Sequence, residues 1–216
     1  MERDLKTADN EIVSSWLKTC ILSIVFFSAI VPVNGYYVMY KEQYYRLFHL
    51  HLIQYPEDSM ENIYWLEKAL KADFANPLYA LALIENETQW EKYRYLFNMH
   101  INLKLIEQHL FLGNKWNKRN AYFYNAPWKT HNLESLEIAE TCYRTALYYW
   151  TAAKEWAQKT QERRFYFINL HRVQLWEDEA MRIDTGDLNY EKIITRELSL
   201  LQKVRERFEA MDEHTY

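Results

Sequence analysis

The chain has 216 residues and a formal net charge of -4, and it contains only three glycines and four prolines. A β-sandwich or barrel needs many turns, and a doubly wound sheet needs glycine-rich connections. So few breakers instead favour a small number of long helices. Acidic and basic residues are interspersed, which provides no basic field for nucleic acid and argues against a general DNA or RNA binder.

Aromatic side chains make up 17% of the chain, with 18 tyrosines and 8 tryptophans. Tyrosine and tryptophan bury large areas and keep a polar tip that can form a hydrogen bond. This composition suits wide seams between helices, and it equally suits a hydrated interface with another protein.

The N-terminal 35 residues differ from the rest of the chain. Ile21–Val31 is a largely apolar run of eleven residues, the length of a signal-peptide core and about half the length of a membrane-spanning helix. The longer span from Trp16 to Tyr40 would suit an anchor edged by aromatic residues. We therefore expect residues 1–35 to be an export signal or a membrane anchor, with a buried core helix as the alternative. Residues 36–216 are expected to form a single helical domain.

Apolar side chains recur at helical spacing through the rest of the chain. The pattern predicts helices over about 36–54, 59–72, 77–112, 133–159, 163–182 and 190–211. The first should bury a stripe that contains Tyr37, Tyr40, Tyr44, Leu47 (or Phe48) and His51. Asn86 and Thr88 lower helix propensity, so they mark a candidate break in the third.

The stretch from Gly113 to Asn132 is rich in asparagine and aromatic residues and is expected to be irregular. Disordered segments are poor in aromatic residues, so we expect this loop to be ordered. Its rings either pack over the loop's own core or anchor a partner protein beside a basic rim. The candidate partner-binding residues are Trp116, Tyr122, Phe123, Tyr124, Trp128, Lys118 and Arg119. The same ambiguity applies to Tyr148, Tyr149, Trp150 and Trp156, for which a core position is favoured.

The sequence contains no motif that is typical of a catalytic, nucleotide-binding or metal site. Three isolated glycines cannot build a P-loop or a dinucleotide fingerprint, and H-E-x-x-H and C-x-x-C are missing. His49 and His51 are two residues apart and would point to different sides of a helix. The acidic run Glu177–Glu179 is expected to be a solvated helix face. We therefore predict no catalytic residue, no cofactor and no metal site.

The segment Trp65–Ala82, WLEKALKADFANPLYALA, predicts the end of one helix, a tight turn and the start of another. It resembles the hinge of tetratricopeptide (TPR) proteins, where A-L-x-x-D-P-x-N commonly links repeats, although Phe74 stands where that family usually has proline. Ala139, Tyr143 and Ala146 match the spacing of the second TPR helix. The resemblance implies an all-α fold, either a degenerate TPR-like repeat or a bundle of about six helices. It also implies that Ala69 and Ala146 lie at close contacts between helices.

Taken with the export segment, these features look like the periplasmic TPR-type proteins of spirochaetes, some of which help to build the collar of the flagellar motor. That resemblance implies a non-catalytic scaffold or adaptor that binds other proteins in an extracytoplasmic assembly, with a homo-oligomer within the larger complex as one option. Its N-terminal segment would associate with the membrane if it is uncleaved. A small-ligand or lipid carrier is the main alternative and would show an apolar cavity of several hundred Å3. An enzyme with an aromatic pocket would bring several perturbed ionisable groups into one cleft.

Overall fold

Six α-helices account for most of the computed structural model, which describes residues 37–119 and 125–215. They are α1 (Lys41–Gln54), α2 (Ser59–Lys71), α3 (Glu87–Trp116), α4 (Lys129–Thr160), α5 (Gln174–Thr185) and α6 (Tyr190–Glu209). Single 3₁₀ turns occupy Pro77–Tyr79, Ala126–Trp128 and Arg163–Phe165. No β-strand occurs in this part of the chain, so the predicted all-α class is confirmed for it. The predicted export or anchor segment lies outside the described residues.

Asparagine and aspartate side chains cap three of these helices, which explains where the helices begin. Asp58 accepts from the Glu61 amide at 3.1 Å, Asn86 accepts from Gln89 at 2.9 Å, and Asn189 accepts from Lys192 at 3.0 Å. Each cap satisfies an amide that has no partner within its own helix. At the C-terminal end of α5, Gly186 adopts a φ of 81°, the left-handed backbone geometry that commonly ends a helix.

The two longest helices, α3 and α4, pair along the centre of the fold and make its largest helix–helix interface. Helix α2 packs on α3, α6 packs on α4, and α5 contacts both central helices. Ala69 in α2 and Ala139 and Ala146 in α4 are fully buried. Small side chains at buried positions let helix backbones approach each other closely, and the large rings fill the remaining space.

The boundaries of three elements differ from the sequence-based prediction. Helix α3 runs through Gly113 to Trp116 and α4 begins at Lys129, so the connection is shorter than the predicted loop. A glycine inside a helix costs about 1 kcal/mol, and tertiary packing at Gly113 overrides that cost. Residues 80–86 do not continue the turn at Pro77 into a helix, and residues 166–173 are not helical either.

The buried face of α1 also differs from the predicted stripe. Tyr37 is 78% exposed and Tyr40 is 37% exposed, whereas Lys41, Glu42 and Tyr45 are buried. Phe48, which the predicted stripe included as the alternative to Leu47, is buried as expected. Lys41 Nζ donates to the carbonyl oxygens of Ala69 at 3.0 Å and Leu70 at 2.5 Å, at the end of α2. The Glu42 carboxylate accepts from the Ala75 amide and the Tyr93 hydroxyl. These partners compensate for the burial of two charges, which hydropathy alone would place in solvent.

Residues from Val38 onward form one compact unit. None of the helices within residues 37–119 and 125–215 combines the length and the hydrophobicity that crossing a membrane would require.

Candidate ligand-binding cleft

A cleft of about 700 Å3 opens between α1, α3 and the beginning of α5, and we call it the α1–α5 cleft. Its walls combine aliphatic and aromatic side chains with two histidines, three cationic groups and one carboxylate. They are Tyr45, Arg46, His49, Leu50, Leu81, His100, Lys104, Arg172, Val173, Leu175, Trp176 and Glu179.

Aromatic packing sets the width of this cleft. The Tyr45 ring meets the edges of Phe97 at 5.6 Å and Trp176 at 6.1 Å between ring centroids. Trp176 in turn stacks on the His100 ring at 4.8 Å. Rings rather than close backbone contacts join α1 to α3 and α5, and the space beside these rings is the cleft.

A chain of hydrogen bonds runs along one wall. The hydroxyl of Tyr45 lies 2.6 Å from His100 Nε2, and His100 Nδ1 lies 2.5 Å from Glu179 Oε2. An ionised carboxylate only accepts hydrogen bonds, so Nδ1 donates to Glu179, and in the neutral Nδ1–H tautomer Nε2 accepts from the tyrosine. Burial, with the nearby charge of Glu179 as a second cause, raises the pKa of Tyr45 well above its ordinary value. The tyrosine therefore keeps its proton at neutral pH, and every donor in the chain has an acceptor.

The cationic groups of the cleft differ in whether they have a partner. Lys104 Nζ pairs with the Glu107 carboxylate at 2.9 Å and 3.0 Å. The exposed side chains of Arg46 and Arg172 form no ion pair with any residue that the structure describes. Burial lowers the pKa of His49. The cleft therefore offers two guanidinium groups with free hydrogen-bonding capacity beside a neutral imidazole.

Arg172 also has an unusual backbone, with φ of 76° in the left-handed region. That conformation is costly for a residue with a Cβ atom, and such residues concentrate at functional sites. The sequence gives no local signal for Arg46 or Arg172, because they belong to separate elements and only tertiary packing brings both to the same cleft.

The predicted partner-binding residues lie elsewhere. Trp116, the last residue of α3, is 39% exposed, and Trp128, just before α4, is 45% exposed. Lys118 has φ of 54°, and Arg119 forms an ion pair with Glu197 of α6 at 2.9 Å. Tyr122, Phe123 and Tyr124 lie outside the described residues. A partner-binding role for this group remains a prediction.

The aromatic residues of α4 are divided between core and surface. Tyr149 and Trp150 are buried, Trp156 is half-buried, and Tyr148 is 71% exposed. Helix periodicity accounts for this pattern, since Tyr148 lies on the solvent side of α4 while its two successors turn towards the core.

The acidic run of α5 is not a solvated face, contrary to the expectation from sequence. Glu177 Oε1 lies 2.7 Å from Nζ of the buried Lys92, and Glu179 binds His100. Only Asp178, between them, is exposed. Two buried basic groups of α3 therefore determine how α5 sits, which charge patterning in the sequence could not indicate.

No group of three or more histidine, cysteine, aspartate or glutamate side chains in residues 37–119 and 125–215 is arranged to hold a metal ion. His51 Nδ1 lies 2.9 Å from Asn62 Oδ1, so that imidazole is part of a hydrogen-bonding network between α1 and α2. Cys142 is buried and forms no disulfide within the described residues, and burial raises the pKa of its thiol.

Comparison with known families matches residues 88–211 to a model described as Domain of unknown function (DUF8513). The match covers more than half of the chain, from α3 to the end of α6. It includes the walls of the cleft that α3 and α5 provide, whereas α1 precedes it. Searches of curated proteins and of solved structures found no match.

Proposed function

We propose that this chain, which belongs to the DUF8513 family, is a non-catalytic protein that binds a small, largely apolar ligand in the α1–α5 cleft. The observation that carries the proposal is the cleft itself, with its volume of about 700 Å3. Sites for small molecules have about this volume, and they are lined mainly by apolar and aromatic groups with a few placed polar ones. Leu50, Val173 and Trp176 provide such walls.

The buried position of the hydrogen-bonded wall supports binding over catalysis. Tyr45 is 5% exposed and His100 is 6% exposed, and they are joined to each other and to Glu179. Burial raises the pKa of Tyr45, so its hydroxyl keeps its proton and is a poor nucleophile at neutral pH. This chain of residues therefore fixes the shape of the wall.

A neutral solvatochromic dye such as Nile red tests this proposal. Leu50→Trp places a large ring at the cleft, whereas Ile53→Trp places the same ring on the exposed surface of the same helix, outside the lining. We expect the first variant to weaken dye binding by roughly tenfold, a loss of about 1.4 kcal/mol, and the second to bind like the parent. Equal binding by both variants, or no dye binding by the parent, would refute a ligand site here.

A non-catalytic scaffold that binds other proteins is the second candidate function. Exposed apolar side chains between α2 and α3 favour it, with Leu78 87%, Tyr79 70% and Leu83 55% exposed. Together with Trp116 and Trp128, they are the kind of surface on which protein interfaces form. An extracytoplasmic setting, and a place in a flagellar collar, rest on the resemblance in the sequence alone.

The scaffold candidate is tested by changing Tyr122 and Trp128 to alanine separately, with Tyr166→Ala as the exposed control. Folding is measured by thermal unfolding, and complexes are recovered from native membranes. Normal folding with loss of the same partner from both variants supports an interface. Normal folding with full recovery contradicts it, and lost stability means that the rings serve only to pack the loop.

A further inference from the structure

We propose that the ligand of the α1–α5 cleft is an amphipathic anion whose carboxylate is held by Arg46 and Arg172, an inference that rests on the ligand-binding function proposed above. The apolar chain or ring of the ligand would lie against Trp176 and Leu50.

The charges around the cleft favour an anion over a neutral ligand. Arg46 and Arg172 both line the cleft, and neither is neutralised by a carboxylate in the described part of the chain. Glu179 would repel an anion, but its single carboxylate is turned to His100 at 2.5 Å and is outnumbered by the two guanidinium groups. Lys104, whose charge Glu107 offsets, contributes little. The free charge at the cleft is therefore positive although the whole chain is negative.

The backbone of Arg172 gives an independent reason to assign it a role. Glycine would adopt φ of 76° without cost, whereas arginine is strained there. Arginine at position 172 is therefore less favourable for the backbone than glycine would be, and yet its side chain lines the cleft. A ligand that needs the guanidinium group accounts for both observations.

The chemistry of the two side chains suits a carboxylate head group. A guanidinium group presents a planar fork of donors that matches the two oxygens of a carboxylate. The tail contributes through burial, at about 0.8 kcal/mol for each methylene removed from water, which is about fourfold in affinity. A ligand with both a carboxylate head group and an apolar tail would therefore contact both the guanidinium groups and the apolar walls.

Isothermal titration with dodecanoate and dodecanol, below their aggregation limits, separates the head group from the tail. We expect the parent protein to bind dodecanoate about tenfold more tightly than dodecanol, and added salt to reduce that preference. Arg46→Gln and Arg172→Gly should each weaken dodecanoate binding by about threefold to tenfold and leave dodecanol binding unchanged. Arg207→Gln, on the exposed side of α6, is the matched control.

Arg172→Gly should also unfold at an equal or higher temperature than the parent, so weaker binding in that variant cannot reflect misfolding. Equal affinity for the acid and the alcohol, or retention of the preference in both cleft variants, would overturn the carboxylate assignment and leave the apolar ligand site intact. Failure of both probes to bind, with no competition against Nile red, would instead overturn the ligand-binding function itself.

Discussion

Gly113 of α3 lies so close to Tyr143 of α4 that a Cβ atom at position 113 would stand 2.6 Å from Cε1 of the tyrosine ring. The ring cannot easily move away, because it is fully buried and its hydroxyl bonds Asn114 at 2.8 Å and Asn117 at 3.2 Å. The glycine that the sequence suggested as a helix breaker is thus a point of close approach between the two central helices.

Gly113→Ala should therefore destabilise the fold although alanine is the better helix former. Overpacking lowers the free energy of unfolding by about 1–3 kcal/mol, and the better helix propensity of alanine raises it by about 1 kcal/mol. We therefore expect urea unfolding to show a lower free energy of unfolding for the variant. In a Tyr143→Leu background, which removes the ring, the same change should become neutral or stabilising. A stable Gly113→Ala variant would contradict the close contact.

Ala69→Leu and Ala146→Leu test the two close helix–helix contacts that the TPR-like motifs predict. Both alanines have no exposed surface, so added methylenes must displace their neighbours. We expect each variant to lose about 1–3 kcal/mol of stability in chemical unfolding. Ala210→Leu, at an exposed position after α6, is the control, and two variants as stable as this control would show that those positions tolerate bulk.

Lys41 should make the fold more stable as the pH rises from 8 towards 10. Burial lowers its pKa from 10.5 to about 8 in the folded chain. Between these values the unfolded chain holds a proton that the folded chain has released, so unfolding takes up a proton and becomes harder as pH rises. We expect a gain of about 1–2 kcal/mol.

Urea unfolding at several pH values measures this gain, and the readout is its slope against pH. Lys41→Met should flatten the slope, whereas Lys68→Met, on the exposed side of α2, should not. Above pH 10 the trend should reverse, because burial raises the pKa of Tyr93 and the unfolded chain then loses its tyrosine proton first. An unchanged slope in Lys41→Met would mean that Lys41 keeps its proton in the fold.

His109 should weaken the fold in mild acid. Both of its ring nitrogens are buried without a hydrogen-bond partner in the described structure, and the ring stacks on Tyr149 at 5.5 Å. Burial lowers its pKa more than the charge of Glu67 raises it. Below pH 6.5 the unfolded chain therefore binds a proton that the folded chain resists, and stability is lost as the pH falls.

His109→Phe should keep the stacking and remove about 1 kcal/mol of the loss between pH 7 and pH 5, as measured by thermal unfolding at the two pH values. His171→Phe, at an exposed position, should retain the acid sensitivity of the parent. Equal acid sensitivity in all three proteins would show that His109 protonates freely in the fold.

The sequence by itself determined the class of the fold and several of its boundaries. Scarce glycine and proline predicted long helices, and the helix starts predicted at residues 59 and 190 directly follow the capping residues Asp58 and Asn189. Capping depends on only a few neighbouring residues, so these starts could be predicted locally. Apolar residues at helical spacing also predicted a buried stripe in the third helix, where Tyr93 and Phe97 are buried.

Only the tertiary structure decided which polar groups are inside and where the cleft lies. Lys41 and Glu42 are buried because the end of α2 supplies their partners, and Glu177 is turned inwards by Lys92. Arg46 and Arg172 line one cleft because aromatic rings join α1 to α3 and α5. The Tyr45 ring of α1 contacts the rings of Phe97 and Trp176. The cost of burying a charge is set by the partners that distant segments provide, and hydropathy along the chain contains no information about them.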